Sequence, residues 1–349
     1  MKYYNCLLIL LLVIISCSKL FSQEWENLPG PEVGAIWVRP VQGIPAQPIW
    51  GHAEGMRVGI APMPGPRGLL RIYTPYLGHK EGKMINFIAL EPIPQGTDRR
   101  GLSELEKSKL DNRQGKRFWS ANDTTSFEPQ QETMPAQGVI SKVGGIETLT
   151  VYVFSEPFDN GAEVYVRLRF YKDKPYEVEI STYRREGTTP LKNFIVTATM
   201  GNYARLRTLY LADTIVSAKM LWPDYNGTDF APHEKFLLKD FIQGKNNNAY
   251  FIAAPDEGHP QHAAYADNTN DHWKYYGDLA TQYWYVQNPD PELEGLVNGR
   301  FVYWGGKAPI PNGISYENFE LKAPFKGGAK FVYGVSPDSP EEFIEKIKK

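Results

Sequence analysis

The densest group of residues that could carry acid–base chemistry lies between Trp50 and Glu91. Arg71 and Tyr73 are two positions apart, so on a β-strand both side chains leave the same face. Tyr76 and His79 follow in the loop after that strand. An arginine can neutralise a carboxylate, and a histidine or a tyrosine can move a proton beside it. We therefore predict these four as catalytic residues, with Arg71 binding a carboxylate, His79 as the base and either tyrosine as the acid.

Further residues are candidates for substrate binding because each places a cation, an imidazole or an aromatic ring in a polar segment. Two belong to the same block and three lie in later loops; they are Arg57, His52, His233, His272 and Tyr275. Arg57 is a second candidate for neutralising a carboxylate, and His233 and His272 are alternative bases. An isolated histidine also serves the fold in many proteins, so a structural role stays open for each.

A metal site is the weaker interpretation of the remaining polar loops. The segment 256–262 contains two histidines three apart, but Pro260 prevents their presentation on a regular helix. The segment 267–272 has oxygen donors at alternate positions but lacks the glycine and the distal glutamate of an EF-hand. We predict no metal and no cofactor in catalysis, and leave a structural divalent cation open.

Several familiar chemistries lack their motifs in this chain. The sequence contains no Gly-x-Ser-x-Gly elbow, no Walker loop and no dinucleotide-binding fingerprint in a βαβ context. Its only cysteines, Cys6 and Cys17, lie in the segment that we predict to be an export signal. A carboxylate pair for glycoside hydrolysis stays open, because Glu54, Glu81 and Glu91 lie near the first cluster.

The elements that must position these residues are strands. Segments rich in β-branched and aromatic residues recur from Val33 to Val335, with turn residues between them and no long amphipathic helix. This pattern predicts an all-β protein, a large mostly antiparallel β-sandwich. Ser339, Pro340 and Glu342 predict a short C-terminal helix, because they match the cap, first-turn proline and capping-box positions. Ser103 and Glu106 have the same capping-box spacing and predict a second short helix.

One hairpin can be predicted in detail. Within Glu163–Tyr171 and Tyr176–Tyr183, apolar and polar residues alternate. The apolar faces coincide only if the connecting loop has three or five residues, because a slip of one residue would turn one strand over. Arg167 and Arg169 would then face Glu177 and Glu179, either as a solvated ladder of ion pairs or as the polar floor of a sugar-binding cleft.

Composition and charge limit the class of protein. The 349 residues carry 38 Lys plus Arg against 40 Asp plus Glu, a formal net charge of −2, which excludes a generally basic nucleic-acid binder. The apolar run Leu7–Ile15 after Lys2 is too short to span a bilayer and is typical of a signal peptide. We expect a signal peptide over 1–22, or a lipoprotein signal over 1–16 with Cys17 lipidated. The protein would then be exported to the periplasm or anchored in a membrane, with residues 23–349 as one β-sandwich catalytic domain.

The Trp50–Glu91 block, the signal segment and the β-rich body together resemble secreted carbohydrate-active proteins encoded in polysaccharide-utilisation loci of marine Bacteroidetes. Among these, the whole chain looks most like the ulvan oligosaccharide dehydratases. The resemblance implies a lyase that removes water by β-elimination from the non-reducing-end uronic acid of an ulvan-type sulfated oligosaccharide, leaving a 4,5-unsaturated uronate. The partner would be an acidic oligosaccharide and no nucleic acid. Two alternatives stay open: an endo-acting lyase on an acidic polysaccharide, and a non-catalytic glycan-binding lipoprotein at the cell surface.

Overall fold

A computed structural model describes residues 34–63, 65–74, 83–125, 127–129, 131–201, 204–256, 264–265, 280–303 and 308–349. The predicted signal segment and Cys17 therefore lie outside the described residues. So do the two loops considered above as metal sites, apart from Asp256. Within the described ranges, no helix has the length and apolar character needed to cross a bilayer.

Sheet I contains nine antiparallel strands. They are β1 (Trp37–Val38), β2 (Ile49–His52), β3 (Arg57–Gly59), β4 (Leu70–Thr74), β5 (Lys83–Pro94), β11 (Leu191–Thr199), β14 (Glu234–Leu237), β18 (Glu294–Arg300) and β19 (Ser315–Pro324). Their order across the sheet is β1-β2-β3-β4-β5-β11-β19-β18-β14. The neighbours β5, β11 and β19 in this order are distant in sequence, so the sheet brings distant segments of the chain together.

Sheet II contains eleven strands, also antiparallel. They are β6 (Phe118–Ala121), β7 (Val139–Val143), β8 (Ile146–Ser155), β9 (Val164–Tyr171), β10 (Glu177–Arg184), β12 (Leu206–Tyr210), β13 (Ile215–Ser217), β15 (Ile242–Gly244), β16 (Asn248–Pro255), β17 (Thr281–Gln287) and β20 (Ala329–Ser336). The order is β13-β12-β16-β17-β20-β10-β9-β8-β6, with β15 beside β16 and β7 beside β8. The predicted mostly antiparallel all-β sandwich is confirmed.

The main core lies between the two sheets and is built by alternation along the strands. Ile88 and Leu90 of β5 and Val166 and Leu168 of β9 are fully buried in one cluster that joins both sheets. Burying each such side chain contributes roughly 1.5–3 kcal/mol. The residues between them point to the opposite, outer face of each sheet. These outer faces carry the polar residues that matter below.

The predicted hairpin is formed by β9 and β10. Arg169 is opposite Glu179 and Leu168 is opposite Ile180, so five residues connect the strands and the apolar faces coincide. Arg167 is opposite Ser181 and reaches Glu179 diagonally, with its Nη2 3.2 Å from Oε1. The predicted loop parity is therefore confirmed, but the predicted partner Glu177 is wrong. Both arginines share Glu179, and Glu177 instead accepts hydrogen bonds from Tyr283 and Tyr285.

Helical structure is limited within the described residues. It comprises α1 (Ala218–Leu221), α2 (Pro340–Lys348) and the short 3-10 turns Leu238–Asp240 and Lys245–Asn247. The predicted C-terminal helix is confirmed, with Ser339 as its cap and a capping box to Glu342. It packs its Phe343 ring on Tyr283 of sheet II.

The helix predicted at Ser103 is wrong. Residues 103–105 form a turn, because the Ser103 hydroxyl is engaged elsewhere: its Oγ donates to Gly68 O at 2.6 Å and accepts from Leu90 N at 3.0 Å. These bonds tie the polar stretch after β5 to sheet I. The segment from β5 to Ser103 therefore lies beside the outer face of sheet I, where Arg100 meets Glu91.

Candidate functional site

Arg71, predicted to bind a carboxylate, is enclosed within the protein. It lies on β4 and has 0% of its surface exposed. Its guanidinium donates to the carbonyl oxygens of Leu69, Gly65 and Pro66 at 3.3, 3.1 and 2.7 Å. Burial lowers the pKa of Arg71 to about 10, so it stays charged at neutral pH. The described contacts give Arg71 the role of holding the 65–69 turn.

Tyr73 and Arg57 are brought together, also away from solvent. They are opposite each other on β4 and β3. Tyr73 packs in an apolar cluster that includes Met63, and burial raises its pKa to about 12, so its phenol keeps its proton at neutral pH. Arg57 donates through Nε to His52 O at 3.1 Å and through Nη2 to Ala53 O, and these bonds fix the turn after β2.

His52 lies on the other side of sheet I, toward sheet II. Its ring is 4.6 Å from the ring of Trp37 and 6.4 Å from that of Phe170, between centroids. Burial lowers the pKa of His52 to about 4, so the imidazole is neutral at neutral pH. Its Nε2 is buried and has no hydrogen-bond partner among the described residues. The structure therefore does not bring His52 together with Tyr73.

Four other predicted site residues lie outside the described residues. They are Tyr76, His79, His272 and Tyr275. Their roles stay predictions.

His233 is the predicted residue that the structure places in a polar site. It immediately precedes β14, and 39% of its side chain is exposed. Its Nε2 lies 3.3 Å from Glu320 Oε1, 3.4 Å from Arg100 Nη1 and 3.3 Å from Asn298 Nδ2. No described residue forms a hydrogen bond with Nδ1, the ring nitrogen on the other side. Nε2 can thus donate to Glu320 or accept from the other two, and Nδ1 correspondingly accepts or donates a proton.

The outer face of sheet I positions the partners of His233. On β19, Phe319 and Leu321 enter the core, so Glu320 between them points outward. The same alternation places Glu91 of β5 and Asn298 of β18 on that outer face. The strands β5, β18 and β19 thereby present polar side chains to the same region of the outer face, around His233.

Arg100 reaches this face from the overlying stretch. Its neighbours are held by hydrogen bonds, from Gly101 N to Pro92 O at 3.0 Å and from Asn160 Nδ2 to Arg99 O at 3.0 Å. Its guanidinium bridges two carboxylates, with Nε 2.5 Å from Glu91 Oε2 and Nη2 2.6 Å from Glu320 Oε2.

One guanidinium thus faces two buried carboxyl groups. Burial raises the pKa of Glu91 well above its usual value, although Arg100 opposes this. Burial also acts to raise the pKa of Glu320, but Arg100 and His233 together hold it below its usual value. The surroundings therefore favour the charged form of Glu320 more than that of Glu91. An ionised carboxylate behind an imidazole stabilises the cation that forms when the ring accepts a proton.

A further carboxyl group, on β19, has no hydrogen-bond partner in the part of the chain that the structure describes. Glu317 is 1% exposed, and neither of its oxygens has a hydrogen-bond partner among the described residues. It lies at an irregularity of the β18–β19 pairing, where Asn298 is opposite Asn318 and Gly299 is opposite Tyr316. Burial raises the pKa of Glu317 to about 8, so it is mostly protonated at neutral pH. Perturbed carboxyl groups of this kind are concentrated at functional sites.

The His233 network borders a cleft of ≈ 670 Å³. This volume is within the range of about 300–1,000 Å³ found for small-molecule sites. The floor is an apolar patch on the outer face of sheet I, formed by Ile93, Ile195 and Leu296. Charged residues surround it, including Arg100, His233, Lys192, Lys322, Asp98, Glu292 and Glu294.

The cations at the cleft margin differ in how firmly they are held. Lys192 pairs with Asp98 at 2.7 Å, but the two side chains are 52% and 90% exposed. Lys322, 30% exposed, pairs with Glu294 at 2.9 Å. Exposed pairs contribute only about 0–1 kcal/mol. An anionic ligand can therefore replace Asp98 at Lys192 at little cost.

Metal ligands are not gathered in the described part of the chain, where no group of three or more His, Cys, Asp or Glu side chains is arranged to hold an ion. No protein-family model, no curated protein and no solved structure matches this chain. The functional interpretation therefore depends on the chemistry of the cleft.

Proposed function

We propose that the protein is a carbohydrate-active carbon–oxygen lyase that removes water from a uronic acid by β-elimination in the cleft over sheet I. The observation that carries the proposal is the environment of His233: one ring nitrogen contacts a buried carboxylate, a guanidinium and an amide, and the other has no described partner. This arrangement suits a group that must accept a proton and return it. The acidic oligosaccharide and the export of the protein follow from the sequence resemblance and the N-terminal segment, and belong to the same proposal.

In the proposed reaction, His233 Nδ1 takes the proton at C5 of the uronic acid. The electrons of that C–H bond form the C4–C5 double bond, the C4–O bond breaks, and the departing hydroxyl takes a proton and leaves as water. Negative charge builds on the substrate carboxylate during the step. Lys192 and Lys322 provide compensating positive charge at the cleft margin.

The proton returned to the leaving hydroxyl has a source in the same network. Once His233 has accepted a proton it can donate one, and Glu320 stabilises the intervening imidazolium at 3.3 Å.

The test is incubation of the full chain with short ulvan-type oligosaccharides that carry a saturated uronic acid at the non-reducing end. Absorbance of an unsaturated uronate, with loss of one water and no shortening of the chain, supports a dehydratase. Absorbance with shorter products would instead identify an endo-acting lyase. Binding without absorbance would overturn the enzymatic proposal in favour of a glycan-binding protein.

Substitutions locate the base. His233→Ala should lower turnover by roughly 10²–10⁴, the usual contribution of a positioned proton-transfer group. Lys239→Ala, at an exposed site six residues further along, is the matched control and should keep full turnover. Glu320→Gln keeps the shape of the side chain and removes its charge, so it should lower kcat and shift its pH profile. Full activity of His233→Ala would exclude His233 as the base.

A further inference from the structure

The outer face of sheet II carries a row of aromatic rings in register across four strands. Trp119 of β6 is opposite Phe154 of β8, Phe154 is opposite Tyr165 of β9, and Tyr165 is opposite Tyr183 of β10. Successive ring centroids are 6.2, 4.8 and 5.0 Å apart, with interplanar angles of 18°, 29° and 7°. Trp119 and Phe154 are buried, and both tyrosines are partly exposed. This row, the aromatic ladder Trp119–Phe154–Tyr165–Tyr183, therefore begins beneath the surface and ends in accessible tyrosines.

A basic patch lies directly beside this ladder. Ser181 of β10 lies two residues from Tyr183 on the same face, between Arg167 of β9 and Lys330 of β20. Arg169 is two residues beyond Arg167 on β9, on that face too. All three cations converge on Glu179, at 3.2 Å from Arg167, 3.8 Å from Arg169 and 3.3 Å from Lys330. Among these four side chains, one carboxylate faces three cations. The next carboxylate on this face of β10, Glu177, is paired with a further cation, Lys174, at 3.2 Å, so it does not remove the local excess of positive charge.

The patch also has unused hydrogen-bonding capacity. The Nε of Arg167 is buried and has no hydrogen-bond partner among the described residues. Its Nη2 is already bound to Glu179 and to Ser181 Oγ, the latter at 2.8 Å. The Lys330 side chain is 53% exposed and its ammonium can turn to a ligand. An anion placed between these groups would gain charge-assisted hydrogen bonds.

Aromatic rings beside unneutralised cations suit a ligand that has both an apolar face and an anionic group, such as an acidic sugar. Aromatic and arginine side chains are the types that most often carry binding energy at protein surfaces. The apolar C–H face of a pyranose packs on such rings, and a carboxylate or sulfate on the sugar would meet the cations. A neutral sugar would use only the rings, and a simple anion only the patch.

We propose that the tyrosine end of the ladder and the basic patch form a second glycan-binding surface, which holds a strand of acidic polysaccharide on the sheet opposite the cleft. The choice of an acidic glycan rests on the proposed function, whereas the surface itself is distinct from the His233 cleft. It would retain the polymer while the cleft acts on chain ends. Loss of this surface should therefore weaken binding of polymers and leave turnover of short substrates unchanged.

Binding is best measured with full-length His233→Ala protein, so that turnover cannot consume the ligand. The probes are polygalacturonate for carboxylates, dextran sulfate for sulfates and uncharged dextran as a control, by affinity electrophoresis and calorimetry. We expect one or both polyanions to bind, with affinity falling as salt rises, and dextran to bind much more weakly. The polyanion that binds more tightly identifies the anionic group.

Two variants then locate the surface. Lys330→Ala and Tyr183→Ala, each added to that protein, should weaken binding by roughly tenfold, the effect of losing one charge-assisted bond or one packed ring. Tyr183→Phe should keep most of the binding because the ring remains. Lys326→Ala, which removes an exposed lysine paired with Asp290, is the control and should bind normally. Melting temperatures of all variants exclude unfolding as the cause.

Three results would overturn the proposal: equal binding of dextran and the polyanions, unchanged binding in both Lys330→Ala and Tyr183→Ala, or a dimer that dissociates in Tyr183→Ala. The last would identify the face as an interface between copies of the chain. None of these outcomes depends on turnover. If no lyase activity is found but polyanion binding depends on Tyr183, the proposed binding surface is supported and only the proposed activity is refuted.

Discussion

Acid should destabilise this protein through His52, and replacing that histidine should remove the effect. Burial lowers the pKa of His52 from 6.5 to about 4, although a hydrogen bond to the Tyr171 backbone and the charge of Asp173 act in the other direction. In the unfolded chain the ring takes up a proton as pH falls below about 6.5. The folded protein does not bind that proton until pH approaches 4. Over this range the proton stabilises only the unfolded state, so the free energy of unfolding falls.

The magnitude follows from the two pKa values. Each pH unit between them corresponds to about 1.4 kcal/mol, so the interval from 6.5 to about 4 corresponds to about 3 kcal/mol. This is a large part of the roughly 5–15 kcal/mol by which folded proteins are stable. At neutral pH the ring is neutral in both states, and the effect vanishes.

The assay is urea unfolding of wild type and His52→Phe at several pH values between about 4 and 7. Phenylalanine keeps a ring between Trp37 and Phe170 but cannot titrate, and it loses the bond to Tyr171, at a cost of about 1 kcal/mol at every pH. The difference between the two proteins should therefore change by about 3 kcal/mol, in favour of the variant, as pH falls.

A matched control is Val166→Ala, which lowers stability in the main core without removing a titrating group. Its curve should run parallel to that of the wild type. Parallel curves for wild type and His52→Phe would refute the reasoning. Turnover should survive in His52→Phe, because His52 is remote from the proposed base.

Two further predictions concern carboxyl chemistry and the choice of base. Since the pKa of Glu317 is about 8, the unfolded chain releases this proton first, so wild type should lose stability as pH rises from about 4 to about 8. Glu317→Gln should abolish that loss, so near pH 8 its free energy of unfolding should exceed that of the wild type by as much as ~5 kcal/mol, with a higher urea midpoint. Near pH 4 the two proteins should not differ. Equal midpoints near pH 8 would contradict the prediction. His79→Ala should keep turnover within about tenfold of wild type, because His233 supplies the base. A loss of 10²–10⁴ would transfer that role to His79.

The strands could largely be predicted because alternation is local. On β9, Val164 to Tyr171 alternate between buried and partly exposed positions along the whole strand. Some short strands could not be predicted from alternation. Ile49–His52 and Phe118–Ala121 have four residues each and are fully buried, so no alternation of polarity marks them. Their pairing partners, which lie elsewhere in the chain, stabilise them as strands.

The C-terminal helix and the Ser103 turn show the limit of a capping motif. Both segments have the capping-box spacing, but only Ser339 caps a helix. The hydroxyl of Ser103 bonds to Gly68 and Leu90, which are remote in sequence. Spacing indicates what a side chain can bond locally, and tertiary contacts decide whether it does.

The site was harder to predict for a related reason. The spacing of Arg71 and Tyr73 correctly gives a shared face, but it cannot reveal that the 65–69 turn and an apolar cluster occupy that face. The His233 network joins Glu91, Arg100, His233, Asn298 and Glu320, so no local motif contains it. One signal was present: Glu91 follows Leu90, and Glu320 stands between Phe319 and Leu321. A charged residue within a buried apolar strand indicates a polar group that needs a partner.

The two outer faces of the sandwich differ in the sign of the group that they hold in excess. On sheet I, the pair Glu91 and Glu320 shares Arg100, and Glu317 has no hydrogen-bond partner among the described residues, so three buried carboxyl groups have one paired guanidinium. On sheet II, three cations share Glu179. Buried charges such as that of Glu320 add little to stability compared with apolar residues of similar size. Both excesses are explained if the sheet I face transfers protons and the sheet II face binds anions. Substitutions on sheet I should then lower turnover without weakening polyanion binding, and substitutions on sheet II should do the reverse.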